Sequence, residues 1–374
     1  MFRNLTMRVA VVGAIAALGF TAGVSPAVAA DPASWRVADT GSRPDYDNMN
    51  VAVATGPGDA WAFGSSRSSD GRFAPIARRW NGRSWADATL PAGLVRGITV
   101  ARATGPDNVW AFAGGDEAGE AYALRWNGYR WTVMNTWPEF EYLSDGAVLS
   151  AGDVWVFGGS RIGPGVGTWH YDGRTWTQVE TPVGVLDRAS AVTSRDIWAV
   201  GADHEGYDLV ARWNGREWTK VDVPGLPHEE THRVFFHGIH ATSSRDVWVV
   251  GREYQDNGDG WSQTPLALHY DGHAWTRLDP SGQGMLRGVT SDGHGGAWAI
   301  PSSELSDAPE LLHFANGRWT QIRLPRADGL AVEVQDVASV PDSATTWAVG
   351  REFRPDDGDP SSDSMIWVNG RLPR

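Results

Sequence analysis

The sequence predicts an all-β chain folded as one seven-bladed β-propeller of four-stranded blades, and three observations carry that expectation. A tryptophan motif recurs seven times, an aromatic hairpin motif follows each copy, and the N-terminal region supplies one strand that the last repeat lacks. Self-similarity at a period of about 40–50 residues is the mark of propeller blades.

The first motif is an acid or small residue, then Trp, then a short apolar run ending mostly in Gly. It reads Asp59-Ala-Trp61-Ala-Phe-Gly in the first copy and Asp246-Val-Trp248-Val-Val-Gly in the fifth. Its tryptophans are Trp61, Trp110, Trp155, Trp198, Trp248, Trp298 and Trp347, spaced 49, 45, 43, 50, 50 and 49 residues apart. The second motif is an aromatic, a Gly-containing turn and usually a Trp, as in Trp80-Asn-Gly-Arg-Ser-Trp85 and Tyr171-Asp-Gly-Arg-Thr-Trp176. Asn-Gly and Asp-Gly between apolar runs signal a tight hairpin, because both residues tolerate positive φ. Each repeat therefore reads as strand, turn, Trp strand, longer loop, aromatic strand, tight turn, Trp strand. The last repeat stops before its fourth strand. Ser34-Trp35-Arg36-Val37 mirrors Arg130-Trp131-Thr132-Val133, so the N-terminal strand is expected to complete the seventh blade and remove its open edge.

Residues 1–30 read as a secretory signal peptide. Arg3 and Arg8 are its positive region, Val9 to Phe20 its apolar stretch, and Ala27-Val28-Ala29 its cleavage pattern. Residues 31–374 form the propeller domain, which is expected to be secreted and extracellular. The full chain carries 45 acids against 32 Lys and Arg; losing Arg3 and Arg8 leaves 30 bases and a net charge of -15. A phosphate backbone would be repelled, so nucleic acid is not an expected partner. The absence of cysteine excludes disulfides, leaving burial to stabilise the fold. No stretch after the signal reaches membrane-spanning length, and a monomer is expected.

Eighteen of the 21 tryptophans fall in the repeat register, which assigns them to packing between blades and not to a binding surface. Trp169 sits on a third strand. Trp137 and Trp261 are off the template, in a connection between blades and in the long loop between the second and third strands of blade five. Both connection types emerge on one face, which also takes most of the length variation, and loops on a rigid scaffold carry function. Candidate ligand-binding residues there are Trp137, Phe140 and Tyr142, with Glu139 and Glu141 beside them, and Tyr254, Asp256, Asp259 and Trp261. Aromatic faces beside carboxylates suit sugars, the ring taking C–H faces and the acid taking hydroxyls. A third set is Phe353, Asp356, Asp357 and Asp359.

His228-Glu-Glu-Thr-His232 matches the zinc-protease pattern, but that chemistry needs a helix, and Pro224 and Pro227 place the match in a loop between blades. His228 and His232 are left as candidate metal contacts in a solvated loop. Asp357 and Asp359 alternate as calcium ligands do, without the glycine and terminal Glu of a full calcium loop. No catalytic serine elbow occurs.

Gly158-Gly159 followed by Tyr171-Asp-Gly-Arg-Thr-Trp176 resembles the kelch-type propeller repeat, a likeness of blade order that spans most of the chain. Galactose oxidase shares that layout, but its copper-radical cofactor needs a cysteine that this chain lacks. The layout is also similar to seven-bladed bacterial fucose-binding lectins. The leading expectation is a secreted, non-catalytic binding protein that takes carbohydrate on an acidic variable-loop face. The alternatives are a polysaccharide hydrolase or lyase with carboxylates near the channel, and a scaffold for an extracellular protein.

Overall fold

The computed structural model describes residues 35–41, 46–68, 70–114, 120–139, 143–158, 165–302, 310–327, 330–341, 343–354 and 362–370. Residues 1–30, expected from the sequence to be a signal peptide, lie outside them. Among the described residues the regular elements are strands, arranged as seven antiparallel sheets in chain order. Blade one runs Tyr46–Gly56, Asp59–Arg67, Phe73–Trp80 and Trp85–Asp87, from the innermost strand outward. The inner strands pack side by side around the axis, and that of blade one touches those of blades two and seven, which closes the ring.

The outer strand of blade seven is Arg36–Gly41. It pairs antiparallel with Ser362–Asn369, with Arg36 opposite Val368 and Thr40 opposite Met365. The expected closure by the N-terminal strand is thus observed. Trp35 meets Trp298 of blade six edge to face at 5.5 Å. Trp131 of blade two meets Trp61 of blade one in the same way, at 5.1 Å. The exchanged strand therefore carries the packing residue that every other outer strand carries.

The seven first-motif tryptophans are all buried, and each meets aromatic rings of the following blade. Trp347 of blade seven packs on Trp80 and Trp85 of blade one, so the seam is sealed like the other joints. Such ring pairs contribute roughly 0.5–1.5 kcal/mol each beyond their buried area.

The acid before each tryptophan has a role beyond turn chemistry. The residue opposite Trp on the third strand is basic in blades one to six: Arg79, Arg125, His170, Arg212, His269 and His313. In blades one to five each bonds to the acid or Asn two residues before its Trp, as in Arg79 Nε to Asp59 at 2.7 Å and His269 to Asp246 at 2.7 Å, while in blade six His313 bonds to Asp292, further back in the turn, at 2.9 Å. The base also covers the indole: Arg212 lies 4.8 Å above Trp198, and His313 stacks on Trp298 at 4.0 Å. A hydrogen-bonded polar pair thus caps the buried Trp in blades one to six, and Asp246 is held below the usual carboxylate range chiefly by its hydrogen bond from His269.

Candidate functional site

The inner strands carry a second repeat that the tryptophan motifs hide. A polar residue stands eleven positions before the first-motif Trp in six blades and twelve in blade seven: Asn50, Thr99, Ser144, Asp187, His237, Arg287 and Gln335. In five blades the ladder slips at this residue, between Met49 and Val51, Leu186 and Arg188, Phe236 and Gly238, Leu286 and Gly288, and Val334 and Asp336. A bulge of this kind inserts an unpaired residue and re-aims its side chain. Here the side chain turns toward the axis, and six of the seven line one cavity of about 430 Å³ at the channel mouth.

In blades one, four, five and seven the first motif's terminal glycine makes the bulge fit, while Pro301 stands there in blade six. A Cβ on Gly251 would lie 1.9 Å from the Phe235 carbonyl oxygen, and one on Gly64 would lie 1.8 Å from that of Asn48. The partner backbone occupies the space that any side chain would need.

Arg102, Arg188 and Arg287 also line the mouth, with Asp145 and Asp336. The two acids stand at equivalent repeat positions and do equivalent work. Asp145 Oδ2 accepts the Ala189 N–H of the next blade at 3.0 Å, and Asp336 Oδ2 accepts the Ala52 N–H of the next blade at 3.0 Å. Asp145 Oδ1 further accepts Arg102 Nη2 at 2.6 Å and its neighbour's amide, Gly146 N–H, at 2.8 Å. Burial pushes Asp336 up to about 6, against the attraction of Ala52 N–H and Arg102. Below them His240 is pushed down to about 4 by burial and by Arg102.

On the same face, blade five rises above the ring. Its second and third strands run to Asp256 and from Trp261, so the expected long loop is an extended hairpin with Asp256 opposite Trp261. Trp261 is 64% exposed, and its ring lies stacked on Tyr254 at 6.4 Å and 24°. Tyr254 meets Phe235 edge to face at 6.3 Å. Arg233 and Arg252 both lie 4.7 Å from the Phe235 ring. Phe235 is two residues before His237, so the rings form a trail from the channel mouth to the hairpin tip. Asp256 and Asp259 are exposed beside it, and Asp256 Oδ1 accepts Gly258 N–H at 2.8 Å.

Trp137 is placed differently from the expectation. It lies on the outer strand Trp131–Glu139 of blade two, is only 3% exposed, and packs on Trp169 and Trp176 of blade three. The strand runs longer than its counterparts, which carries this Trp into the joint between blades and removes it from any ligand surface. Phe140, Tyr142, Asp357 and Asp359 lie outside the described residues.

The region of His228 and His232 is a hairpin, not a loop. His228–Glu229 pairs with the start of the inner strand His232–Ser243, giving blade five a fifth strand. The His228 ring stacks on Tyr207 at 3.9 Å, while His232 is hydrogen-bonded to Glu253. Among the described residues no three His, Asp or Glu side chains converge as metal ligands. No helix among them is long and apolar enough to cross a membrane.

No family model matches the chain, and no curated protein sequence does. Solved structures do. YCF48 bound to D1 peptide is similar at a TM-score of 0.55 and 15% identity, covering 92% of this chain and 98% of that one. The extracellular domain of a two-component system protein from B. thetaiotaomicron is similar at a TM-score of 0.57 and 12% identity, covering 88% of this chain and 39% of that one. SapL1 lectin in complex with alpha methyl fucoside is a more distant neighbour, at a TM-score of 0.43 and 17% identity, over 77% of this chain and 98% of that one. At such identities the likeness is one of fold. The chain is a seven-bladed β-propeller, and its kelch-type resemblance stays at the level of blade layout.

Proposed function

We propose that this protein is a secreted, non-catalytic binding protein that recognises carbohydrate on the face bearing the channel mouth. The carrying observation is the stacked pair of Tyr254 and Trp261, with Trp261 64% exposed and Asp256 and Asp259 at the same tip. A large indole held open at a hairpin tip, stacked on Tyr254 and outside the joints between blades, is exposed apolar surface of the kind that marks interaction sites. It offers a flat face for sugar C–H groups, and the acids and Gln263 offer partners for hydroxyls. The fold neighbours agree with a binding role, one having been solved with a peptide and one with a fucoside.

A second reading has one observation in its favour. Asp336, raised to about 6, lies near Asp145 in the channel mouth, as a general acid and its partner would. Their matched bonds to the backbone amides of adjacent blades favour a structural role.

Binding of residues 31–374 to a broad panel of glycans and polysaccharides tests both readings. Selective binding that weakens about tenfold or more in Trp261→Ala, a loss of about 1.4 kcal/mol, supports the binding protein. Release of shortened products from a bound polysaccharide, abolished by Asp336→Asn, replaces it with the hydrolase. No binding anywhere on the panel ends the carbohydrate reading.

A further inference from the structure

The centre of the variable face differs in charge from the rest of the molecule. The chain has a net charge of -13, yet three guanidinium groups, those of Arg102, Arg188 and Arg287, converge on one cavity. The acids around them are shared between these arginines and other partners. Asp145 and Asp336 hold backbone amides of adjacent blades. Glu333 is held chiefly by Arg351, at 2.8 Å from Nε and 2.7 Å from Nη2, and its other oxygen lies 3.4 Å from Arg287 Nη1.

The arginines are anchored but not exhausted. Arg102 donates to Ala101 O at 2.9 Å and to Asp145. Arg188 Nη1 donates to Ser144 O at 3.0 Å and to Asp187 O at 2.8 Å. Arg287 Nη2 donates to Val334 O at 2.8 Å, and its Nη1 makes longer contacts to Glu333 Oε1 at 3.4 Å and Gln335 Oε1 at 3.5 Å. These bonds fix each guanidinium against the wall and use only part of its five N–H donors. Asn50, Ser144 and Thr99 add neutral polar groups around the same cavity. Pre-oriented arginine forks in a concave site recognise planar or tetrahedral oxyanions, and the bonds so formed are the strong, charge-assisted kind. The aromatic trail from Trp261 through Tyr254 to Phe235 leads to this cavity, and Arg233 and Arg252 flank it.

We propose that the channel mouth is an anion subsite, and that the ligand is an acidic glycan whose carboxylate or sulfate enters the arginine cluster while a neighbouring sugar ring stacks at the blade-five hairpin. The inference rests on the carbohydrate reading, because the aromatic trail supplies the sugar contact. It goes beyond it by fixing the charge of the ligand.

Calorimetric titration of residues 31–374 with a tri-uronide, a sulfated trisaccharide and a neutral trisaccharide tests the proposal. At least one acidic ligand is expected to bind about tenfold or more tightly than the neutral one, and whichever binds names the anion. The preference should shrink with added salt. Arg188→Gln and Arg287→Gln are expected to bring the acidic ligand down to the neutral one, and Arg287→Lys to restore only part of the gap. Thermal melts of each variant check that the propeller is intact, and a variant that fails to fold is replaced by its Lys counterpart. Equal binding of acidic and neutral sugars, or a preference that survives both Gln variants, overturns the anion subsite and leaves the carbohydrate reading standing. Trp261→Ala separates the two further, because it should weaken neutral and acidic ligands alike. An acidic ligand that ignores Trp261→Ala but responds to the arginines keeps the subsite and removes the stacking platform.

Discussion

Asp336 and His240 show how the channel handles charge at the level of single groups. Asp336 accepts Ala52 N–H, but its burial dominates and raises it from 3.8 to about 6. The folded chain therefore keeps this proton between about pH 4 and 6, where the unfolded chain has released it. The contribution of Asp336 is full below the unfolded value and falls as pH rises through 6. Two units correspond to about 3 kcal/mol, an upper limit because the residue keeps some surface toward the channel. His240 runs the other way. Burial lowers it from 6.5 to about 4, so its contribution is full above the unfolded value and is lost as pH falls through that window. The two slopes oppose each other, and the parent protein should look nearly flat there as far as this pair is concerned. Asp336→Asn keeps a carbonyl acceptor for Ala52 N–H and removes the ionisation. Denaturant unfolding should show the variant more stable than the parent above pH 6, by up to about 3 kcal/mol, with no gain near pH 4. A difference that stays constant across this range would mean that the carboxyl of Asp336 does not titrate as described.

At the scale of the strand, the bulge and its facing glycine form one device. Gly251 lets the inner strand of blade five close over it at Phe235, and the bulge at His237 follows. Gly251→Ala forces its methyl group into the Phe235 carbonyl and should cost about 1–3 kcal/mol by thermal or denaturant unfolding, as overpacked sites do. Gly258→Ala is a different test: it stands in the hairpin turn at φ 83° with open space around it, so only backbone strain applies. Equal costs for the two would remove the close-approach explanation. The same device explains what could be read from the chain beforehand. Trp61, Trp110 and their counterparts stand out because a rare residue recurs at a fixed phase, and the Asn-Gly and Asp-Gly turns mark hairpins by backbone chemistry alone. The ring from Asn50 to Gln335 has a phase as regular, but its residues differ in every blade, sharing only polarity. It becomes visible once the distance to each Trp is counted, and its meaning needs the bulge that no residue type announces. Trp137 misleads for the opposite reason: a longer outer strand moves a residue out of the loop and into the core without changing its own sequence surroundings. Trp261 and Tyr254 were within reach because their strands extend in step and leave the rings together at the tip.

At the scale of the whole ring, stability depends on one joint made from both ends of the chain. Six blades are built from continuous sequence, while the seventh takes its outer strand from Arg36–Gly41. That strand carries Trp35, which is 5% exposed and packed with Trp298, Val334 and Trp367 in one apolar cluster. It is also tied by Arg36 Nη1 to Gly370 O at 2.8 Å. Two different losses can be separated. Trp35→Ala removes only the apolar contact and should cost about 3–5 kcal/mol, leaving a monomer with a lower melting temperature. Starting the chain at residue 46 removes the strand itself and leaves the backbone of Ser362–Asn369 unpaired along one side. An open edge next to an apolar cluster is a template for pairing with another chain. Light scattering coupled to size exclusion should then show self-association of the shortened protein, and little or none for Trp35→Ala. A shortened chain that stays monomeric and melts with the parent would show that the ring does not need its N-terminal strand. Addition of a free peptide spanning residues 34–42 should reverse the association, because the vacant position accepts that strand in a single register, Arg36 against Val368.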